Sequence, residues 1–322
     1  MKSILLTNIY RGIPLSIVQK ESPLGFELKF LSDQTQENLI EQVKFVEYIL
    51  AGGRLKITKE VLENASKLKM IQRSGVGLDG LDLNAIKEKG IPLYVNQGVN
   101  AESVAEHTLL LMLSCLRRLS VIDHNTKSGI WKKQEQGIQT HELFGKTVGI
   151  IGMGNIAMTL VGMLKPFHVN ILYYNLFRCT EEYEKENNMK FVSLEELFHE
   201  SDIISVNCAL TDETRNLINH NSISKMKNGA ILVNTARGEI VDAQAVADAL
   251  TSGKLSYAGL DVHQIEPIPD EYPLKTIENV ILTPHIGGVT ADSFSAMMKA
   301  AFRNIELFDK GLLKEIEQSR YI

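Results

Sequence analysis

From one end of the chain to the other, apolar runs of three to five residues alternate with stretches whose apolar positions recur every three or four residues. The first kind reads as strands buried on both faces, the second as amphipathic helices. Their alternation predicts an α/β architecture with parallel sheets. Strand-like runs in the first third are Ile4-Leu5-Leu6, Tyr48-Ile49-Leu50, Met70-Ile71-Gln72 and Ile91-Pro92-Leu93-Tyr94-Val95. Later runs are Val148-Gly149-Ile150-Ile151, Asn170-Ile171-Leu172-Tyr173-Tyr174, Ile203-Ile204-Ser205-Val206, Ala230-Ile231-Leu232-Val233, Tyr257-Ala258-Gly259-Leu260 and Val280-Ile281-Leu282. Asn100, a good N-cap residue, precedes a long helical pattern through Val104, His107, Leu110, Leu111 and Leu116. A last amphipathic stretch, 290–313, places Phe294, Met297, Ala301, Ile305 and Phe308 at helical spacing.

One strand-like run continues into Gly152-Met153-Gly154-Asn155-Ile156-Ala157. A strand, a glycine turn and a helix start in that order suit a dinucleotide, because the unpaired N–H groups opening a helix attract a pyrophosphate. Gly152 makes the tight turn, Gly154 lets phosphate approach bare backbone, and Ala157 allows close helix–strand packing. The motif lies mid-chain, so a domain of its own size precedes it. We expect a substrate-binding domain from 1–99 plus 289–322 and a dinucleotide-binding domain from 100–288. The chain would cross between them near Asn100 and near Gly287-Gly288.

With 322 residues there is room for two such domains. A formal net charge of -5 offers no electrostatic case for nucleic acid or an anionic membrane. Cys115, Cys179 and Cys208 are scattered, which fits a reducing cytoplasm rather than a disulfide framework. No metal-ligand spacing is present. The apolar start is too short for a signal-peptide core, and the longest apolar run, 109–113, is far below spanning length.

Further motifs stand in order around the glycine turn: Gly75-Val76-Gly77-Leu78-Asp79, Val104-Ala105-Glu106-His107-Thr108, Val233-Asn234-Thr235-Ala236-Arg237-Gly238, Gly259-Leu260-Asp261-Val262, Glu266-Pro267 and Thr283-Pro284-His285. Together they resemble the D-isomer-specific 2-hydroxyacid dehydrogenases, the group that includes D-3-phosphoglycerate dehydrogenase and glycerate/hydroxypyruvate reductase. The resemblance spans nearly the whole chain. It implies two Rossmann-like or flavodoxin-like parallel-sheet domains with a cleft between them. It also implies hydride transfer between NAD(P)H and a small 2-oxoacid to give a D-2-hydroxyacid. Members are usually homodimers, in which residues 120–144, with Trp131, would form an arm over the partner subunit. Because the sequence stops soon after its last helix, we expect no regulatory domain of the kind found on some phosphoglycerate dehydrogenases. The same scaffold serves formate and phosphite oxidation, and some relatives act as NADH-sensing corepressors.

Reduction of a 2-oxoacid needs a carboxylate anchor, a proton donor and a group that keeps the donor charged and oriented. Arg237 follows an apolar strand and presents a planar, permanently charged fork suited to a carboxylate. His285 also follows an apolar strand, and imidazole changes charge near neutral pH. A carboxylate bonded to imidazolium favours its protonated form. By position alone Glu266, Asp270 and Glu271 compete for that role; the family pattern selects Glu266.

The resemblance further assigns substrate binding to the turn Ser74, Gly75, Val76 and Gly77 and to Asn100. Besides Gly152, Gly154, Asn155 and Ile156, it places Thr108, Thr235 and Ala236 near the nicotinamide half, with Asp261 on the carboxamide. Asn175 departs from the pattern. NAD enzymes usually carry an acid at this strand end, which binds the ribose and repels a 2′-phosphate. Asparagine still hydrogen-bonds the ribose but cannot repel the phosphate, and Arg178 is the nearest cation. NAD is therefore expected as the main cofactor, with NADP not excluded.

Overall fold

The computed structural model describes residues 1–53 and 55–322. They form two compact units, Met1–Asn100 with Val289–Ile322, and Ala101–Gly288.

The first unit holds β1 (Lys2–Leu6), β2 (Phe26–Phe30), β3 (Tyr48–Ala51), β4 (Met70–Arg73) and β5 (Leu93–Tyr94). All pairs are parallel, in the order β2-β1-β3-β4-β5, which is the flavodoxin-like order. The hydrophobic pattern does not mark β2. It is an edge strand reading Phe-Glu-Leu-Lys-Phe, and its residues are half-buried or exposed, so the continuous apolar run of a central strand is missing. The run expected over 91–95 shortens to Leu93–Tyr94, because Pro92 has no N–H to donate to the ladder. The last helix, Ala291–Asp309, starts at a capping box in which Thr290 Oγ1 accepts from the Ser293 N–H. It buries Met297, Ala301 and Ile305 against Ile4, Leu6, Tyr48 and Met70 of the sheet, with Phe294 and Phe308 packed at the margin. Buried amides fix its register: Asn304 Nδ2 donates to Gln72 Oε1 at 3.1 Å, and Asn96 Nδ2 to the Met297 carbonyl at 2.9 Å.

The second unit holds β6 (Thr147–Ile151), β7 (Asn170–Tyr174), β8 (Met189–Phe191), β9 (Ile203–Val206), β10 (Ala230–Asn234), β11 (Leu255–Leu260) and β12 (Val280–Leu282). They run parallel in the order β12-β11-β10-β9-β6-β7-β8. This is the doubly wound nucleotide-binding order with one strand added, and its direction reverses between β6 and β9. β8, a three-residue edge strand, is the other element the pattern leaves unmarked. The central strands are buried along their whole length, and separate apolar cores cover the two faces of the sheet. The helix Ala101–Leu116 lies in one of these cores with the helix Asn155–Leu164. Gly259 of β11 makes room for it: a Cβ there would stand 3.0 Å from the Leu111 side chain. Among the described residues no helix is long and apolar enough to cross a membrane.

Candidate active site

In open parallel sheets, ligands bind beyond the carboxyl ends of the strands, where the winding reverses. In the second unit that point is the turn after β6. Gly152 adopts φ +93°, and a Cβ on it would stand 2.6 Å from the backbone of Cys208, in the segment leaving β9. Only glycine fits there on both counts. Its N–H donates to the Tyr174 carbonyl at 2.8 Å, tying the turn to the end of β7. Gly154 is the N-cap of the helix Asn155–Leu164 and brings no side chain to cap it. A Cβ at Gly154 would meet nothing within 4 Å, so the space over the helix start is open. No acidic residue lies in the first turn, and the opening N–H groups, including those of Asn155 and Ile156, have no acceptor within the helix. Asn207 Nδ2, beside the turn, is buried without a hydrogen-bond partner. These features fit a dinucleotide, whose pyrophosphate would lie on the uncapped helix start.

Asn175 directly follows β7 with its side chain committed. Its Oδ1 accepts from the Met153 N–H at 3.2 Å and its Nδ2 donates to the Phe177 carbonyl at 3.0 Å. Arg178 turns to Glu184, with Nε on Oε1 at 2.9 Å and one terminal nitrogen on Oε2 at 2.8 Å.

At the other end of the sheet, backbone hydrogen bonds continue past β10, β11 and β12. The Asp261 N–H donates to the Asn234 carbonyl at 3.0 Å, and the His285 N–H to the Asp261 carbonyl at 2.7 Å. Asn234, buried, shapes the loop that carries Arg237: its Oδ1 accepts from the Ala236 N–H at 3.0 Å and its Nδ2 donates to the Arg237 carbonyl at 2.9 Å. Half-buried Arg237 also donates to the Ala236 carbonyl at 2.7 Å. Gly238, next in the chain, packs so tightly that a Cβ would stand 2.0 Å from the His263 carbonyl carbon. The His263 N–H in turn donates to Glu266 Oε1 at 3.1 Å. Glu266 faces His285, whose Nδ1 lies 3.0 Å from Oε2 and 3.2 Å from Oε1. The carboxylate can only accept, so Nδ1 carries the proton between them and Nε2 is the nitrogen left for chemistry. Asp270 goes elsewhere: it is exposed and pairs with Lys275 at 2.8 Å.

Asp261 organises the loop around His285. Its Oδ1 accepts from the Thr283 hydroxyl at 2.6 Å and the Ile286 N–H at 2.9 Å, and its Oδ2 from the Gly287 N–H at 2.8 Å. His107 Nε2 adds contacts to Thr283 Oγ1 at 3.0 Å and to Asp261 Oδ1 at 3.4 Å. Burial alone would push the Asp261 carboxyl up. The hydrogen bonds from His107, Thr283, Ile286 and Gly287 outweigh it and hold the group well below the usual carboxylate range. This clasp holds His285 at φ +58°, a left-handed conformation that costs a non-glycine residue about 1–2 kcal/mol. Thr108 and Thr235, both buried, meet through their hydroxyls at 2.8 Å.

In the first unit, the turn 74–77 follows β4. The Ser74 N–H donates to the Ala51 carbonyl at 2.9 Å, and Arg73 Nε donates to the Gly77 carbonyl at 2.8 Å. A Cβ at Gly75 would meet nothing, and Val76 is exposed. Asn100 directly precedes the helix Ala101–Leu116 and is half-buried.

Sequence reasoning assigned no role to Asn234, His107, Thr283 or His263. Three of them lie inside the motifs that carried the resemblance, which was the available signal. His263 donates from Nε2 to the Thr283 carbonyl at 3.0 Å and meets Tyr272 through Nδ1 at 3.3 Å. Burial and the nearby Glu266 charge push the Tyr272 hydroxyl up to about 12. Among the described residues no three His, Cys, Asp or Glu side chains cluster as a metal site requires.

Residues 109–287 match the family model described as D-isomer specific 2-hydroxyacid dehydrogenase, NAD binding domain. Over 270 residues the chain is 38% identical to hydroxypyruvate reductase of Thermotoga maritima, covering 83% of this chain and 86% of that protein. It is 35% identical over 291 residues to glyoxylate reductase of Korarchaeum cryptofilum, covering 89% and 87%. The D-lactate dehydrogenase of Aquifex aeolicus, solved with NAD and lactic acid, superposes with a TM-score of 0.86 at 30% identity, covering 99% of this chain and 98% of that one.

Proposed function

The chain belongs to the D-isomer-specific 2-hydroxyacid dehydrogenase family, and from that premise we propose that it reduces a small 2-oxoacid with Arg237, Glu266 and His285 as its working side chains. It is an NAD-dependent oxidoreductase of the CH–OH group of 2-hydroxyacids. When bound, NADH supplies the hydride that reduces the ketone carbon.

The observation that carries the assignment is the His285–Glu266 pair at the carboxyl end of β12. Glu266 fixes the ring through Nδ1, so Nε2 is the atom that delivers a proton to the developing alkoxide. The Asp261 clasp keeps the ring's backbone in place, so that little reorganisation is needed at the moment of transfer. Arg237 holds the substrate carboxylate through its guanidinium fork, with the Asn234 hydrogen bonds setting the loop that carries it. The N–H groups of the turn 74–77 and Asn100 complete substrate binding in this reading. Thr108, Thr235 and Ala236 line the nicotinamide side, and Asp261 serves it by shaping the loop. The substrate class is glyoxylate and hydroxypyruvate, the small acids for which the two similar enzymes are named.

The chain works as a homodimer in the cytoplasm. Trp131 at 81% exposure, Ile138 at 84% and Phe144 at 63% support the dimer, since three large apolar side chains in one short stretch call for a cover. Light scattering on the purified protein reads that state directly, and a monomeric mass would remove it.

The deciding experiment is NADH oxidation with glyoxylate, hydroxypyruvate, pyruvate, branched 2-oxoacids and phosphohydroxypyruvate, with formate assayed in the reverse direction. Turnover of the two smallest acids is expected to lead. Activity confined to formate would overturn the proposed substrate class.

A further inference from the structure

We infer that Glu184 sets the preference of this chain for NAD over NADP, by holding Arg178 and supplying the negative charge that Asn175 lacks. The inference rests on the NAD reading above.

A 2′-phosphate is recognised by a cation close to the end of the second strand of a nucleotide-binding sheet, and an acid there excludes it. In this chain Asn175 does neither. Both ends of its carboxamide are used: Oδ1 ties the end of β7 to the glycine turn through the Met153 N–H, and Nδ2 closes its own loop on the Phe177 carbonyl. Leu176 and Phe177 follow, both exposed and without charge. The next cation, Arg178, puts two nitrogens of its fork on the two oxygens of Glu184, at 2.9 and 2.8 Å. Such a bidentate pair is geometrically specific and occupies the side-on fork of the guanidinium.

Glu184 is anchored from its other side as well. It is 7% exposed, and its Oε1 accepts from the Tyr173 hydroxyl at 2.7 Å. That hydroxyl accepts from the Cys179 N–H at 2.8 Å, so the loop carrying Arg178 is tied to the same network. The hydrogen bonds from Arg178 and then Tyr173 hold the Glu184 carboxyl down at about 2 against the burial that would raise it. Glu184 is thus a carboxylate at any working pH. The short helix Glu181–Glu186 adds Glu181 and Glu182 in its exposed first turn. The guanidinium therefore meets the Glu184 carboxylate directly and feels the charge of Glu181 nearby. A phosphate dianion approaching it meets net negative charge and a guanidinium whose side-on fork is already taken, whereas a ribose hydroxyl pays no such penalty.

The test uses adenosine 2′,5′-bisphosphate and AMP as probes, titrated calorimetrically into the full chain. Wild-type protein is expected to bind AMP at least as tightly as the bisphosphate. Glu184→Gln frees the guanidinium from its charged partner and shifts the affinity ratio toward the bisphosphate by about tenfold, one charge-assisted hydrogen bond's worth. Adding Arg178→Ala to that variant cancels the gain. The kcat/KM ratio of NADPH to NADH moves in the same order. Melting curves establish that each variant is folded. A folded Glu184→Gln with an unchanged ratio overturns the inference. So does a wild type that favours the bisphosphate, which can be read without any variant. Wild-type protein that binds neither AMP nor NADH overturns the NAD reading itself, a distinct result.

Discussion

His285 Nδ1 lies 3.0 Å from Oε2 of Glu266, although the two are 19 residues apart and sit on different loops. The distance defines which imidazole nitrogen is free. His285→Ala is expected to lower kcat for 2-oxoacid reduction by about 10²–10⁴-fold, the range for loss of a positioned proton donor. Glu266→Gln keeps the hydrogen-bonding shape without the charge and is expected to lose less, about 10²-fold. Asp270→Asn serves as the control, since that exposed side chain pairs with Lys275 and should leave turnover near wild type. Steady-state kinetics with an NADH fluorescence titration separates loss of chemistry from loss of cofactor. Normal turnover in His285→Ala would remove the residue from the mechanism.

The two glycines of the turn after β6 make opposite predictions. At Gly152 a methyl group meets the Cys208 backbone at 2.6 Å and φ is +93°, so Gly152→Ala must distort the turn. It is expected to lower stability by about 1–3 kcal/mol or more and to abolish NADH binding. At Gly154 a methyl group meets no protein atom, so Gly154→Ala should melt like wild type. It should nevertheless weaken NADH, because the methyl fills space kept for phosphate. Equal NADH affinity in Gly154→Ala and wild type would move the pyrophosphate elsewhere.

Arg237 tests through substrate rather than cofactor. Arg237→Lys keeps the charge and loses the fork, and is expected to raise KM for the 2-oxoacid by about 10–100-fold, the worth of one charge-assisted hydrogen bond. NADH affinity measured without substrate should hold. A KM within twofold of wild type would argue that Arg237 does not hold the carboxylate.

Asp261 gives the second unit a dependence on acid. Its folded pKa lies below the unfolded value of about 3.9, so its stabilisation is present above that pH and is lost as pH falls through the folded value. Asp261→Asn keeps one acceptor oxygen and turns the other into an NH2 donor facing one of the two backbone N–H groups, and is expected to cost about 2–4 kcal/mol at neutral pH. At about 2–4 °C per kcal/mol for a domain of this size, Tm should drop by roughly 5–15 °C. The deficit should narrow below about pH 4, where wild type begins to lose the same term. A gap that stays constant down to pH 2 would mean the carboxylate charge contributes nothing.

Much of this is legible in the amino-acid sequence. Central parallel strands are buried on both faces, so β1, β3, β4, β6, β7, β9, β10 and β11 announce themselves as apolar runs. Of the four edge strands, β5 and β12 still carry short apolar runs, whereas β2 and β8 did not stand out because their residues alternate in polarity. The glycine turn was readable because the need for φ above zero and a bare backbone excludes almost every other residue. Arg237 and His285 could be placed at strand ends from the runs before them.

What the chain alone determined is therefore local: which segments are strands, where the backbone must be glycine, and which residue types can bind or move a proton. Tertiary structure decided the partnerships. By position alone Asp270 and Glu271 matched Glu266 and only the family pattern chose among them; the fold shows that Glu266 meets the imidazole while Asp270 meets a lysine. Likewise nothing in the string Asn-Leu-Phe-Arg reveals that Arg178 is held by Glu184, or that His107 and Thr283 clasp Asp261. The physical reason is that periodicity and propensity report a residue's own backbone and burial. A hydrogen bond between side chains far apart in sequence depends on where two separate loops end, which the packing of the whole sheet sets.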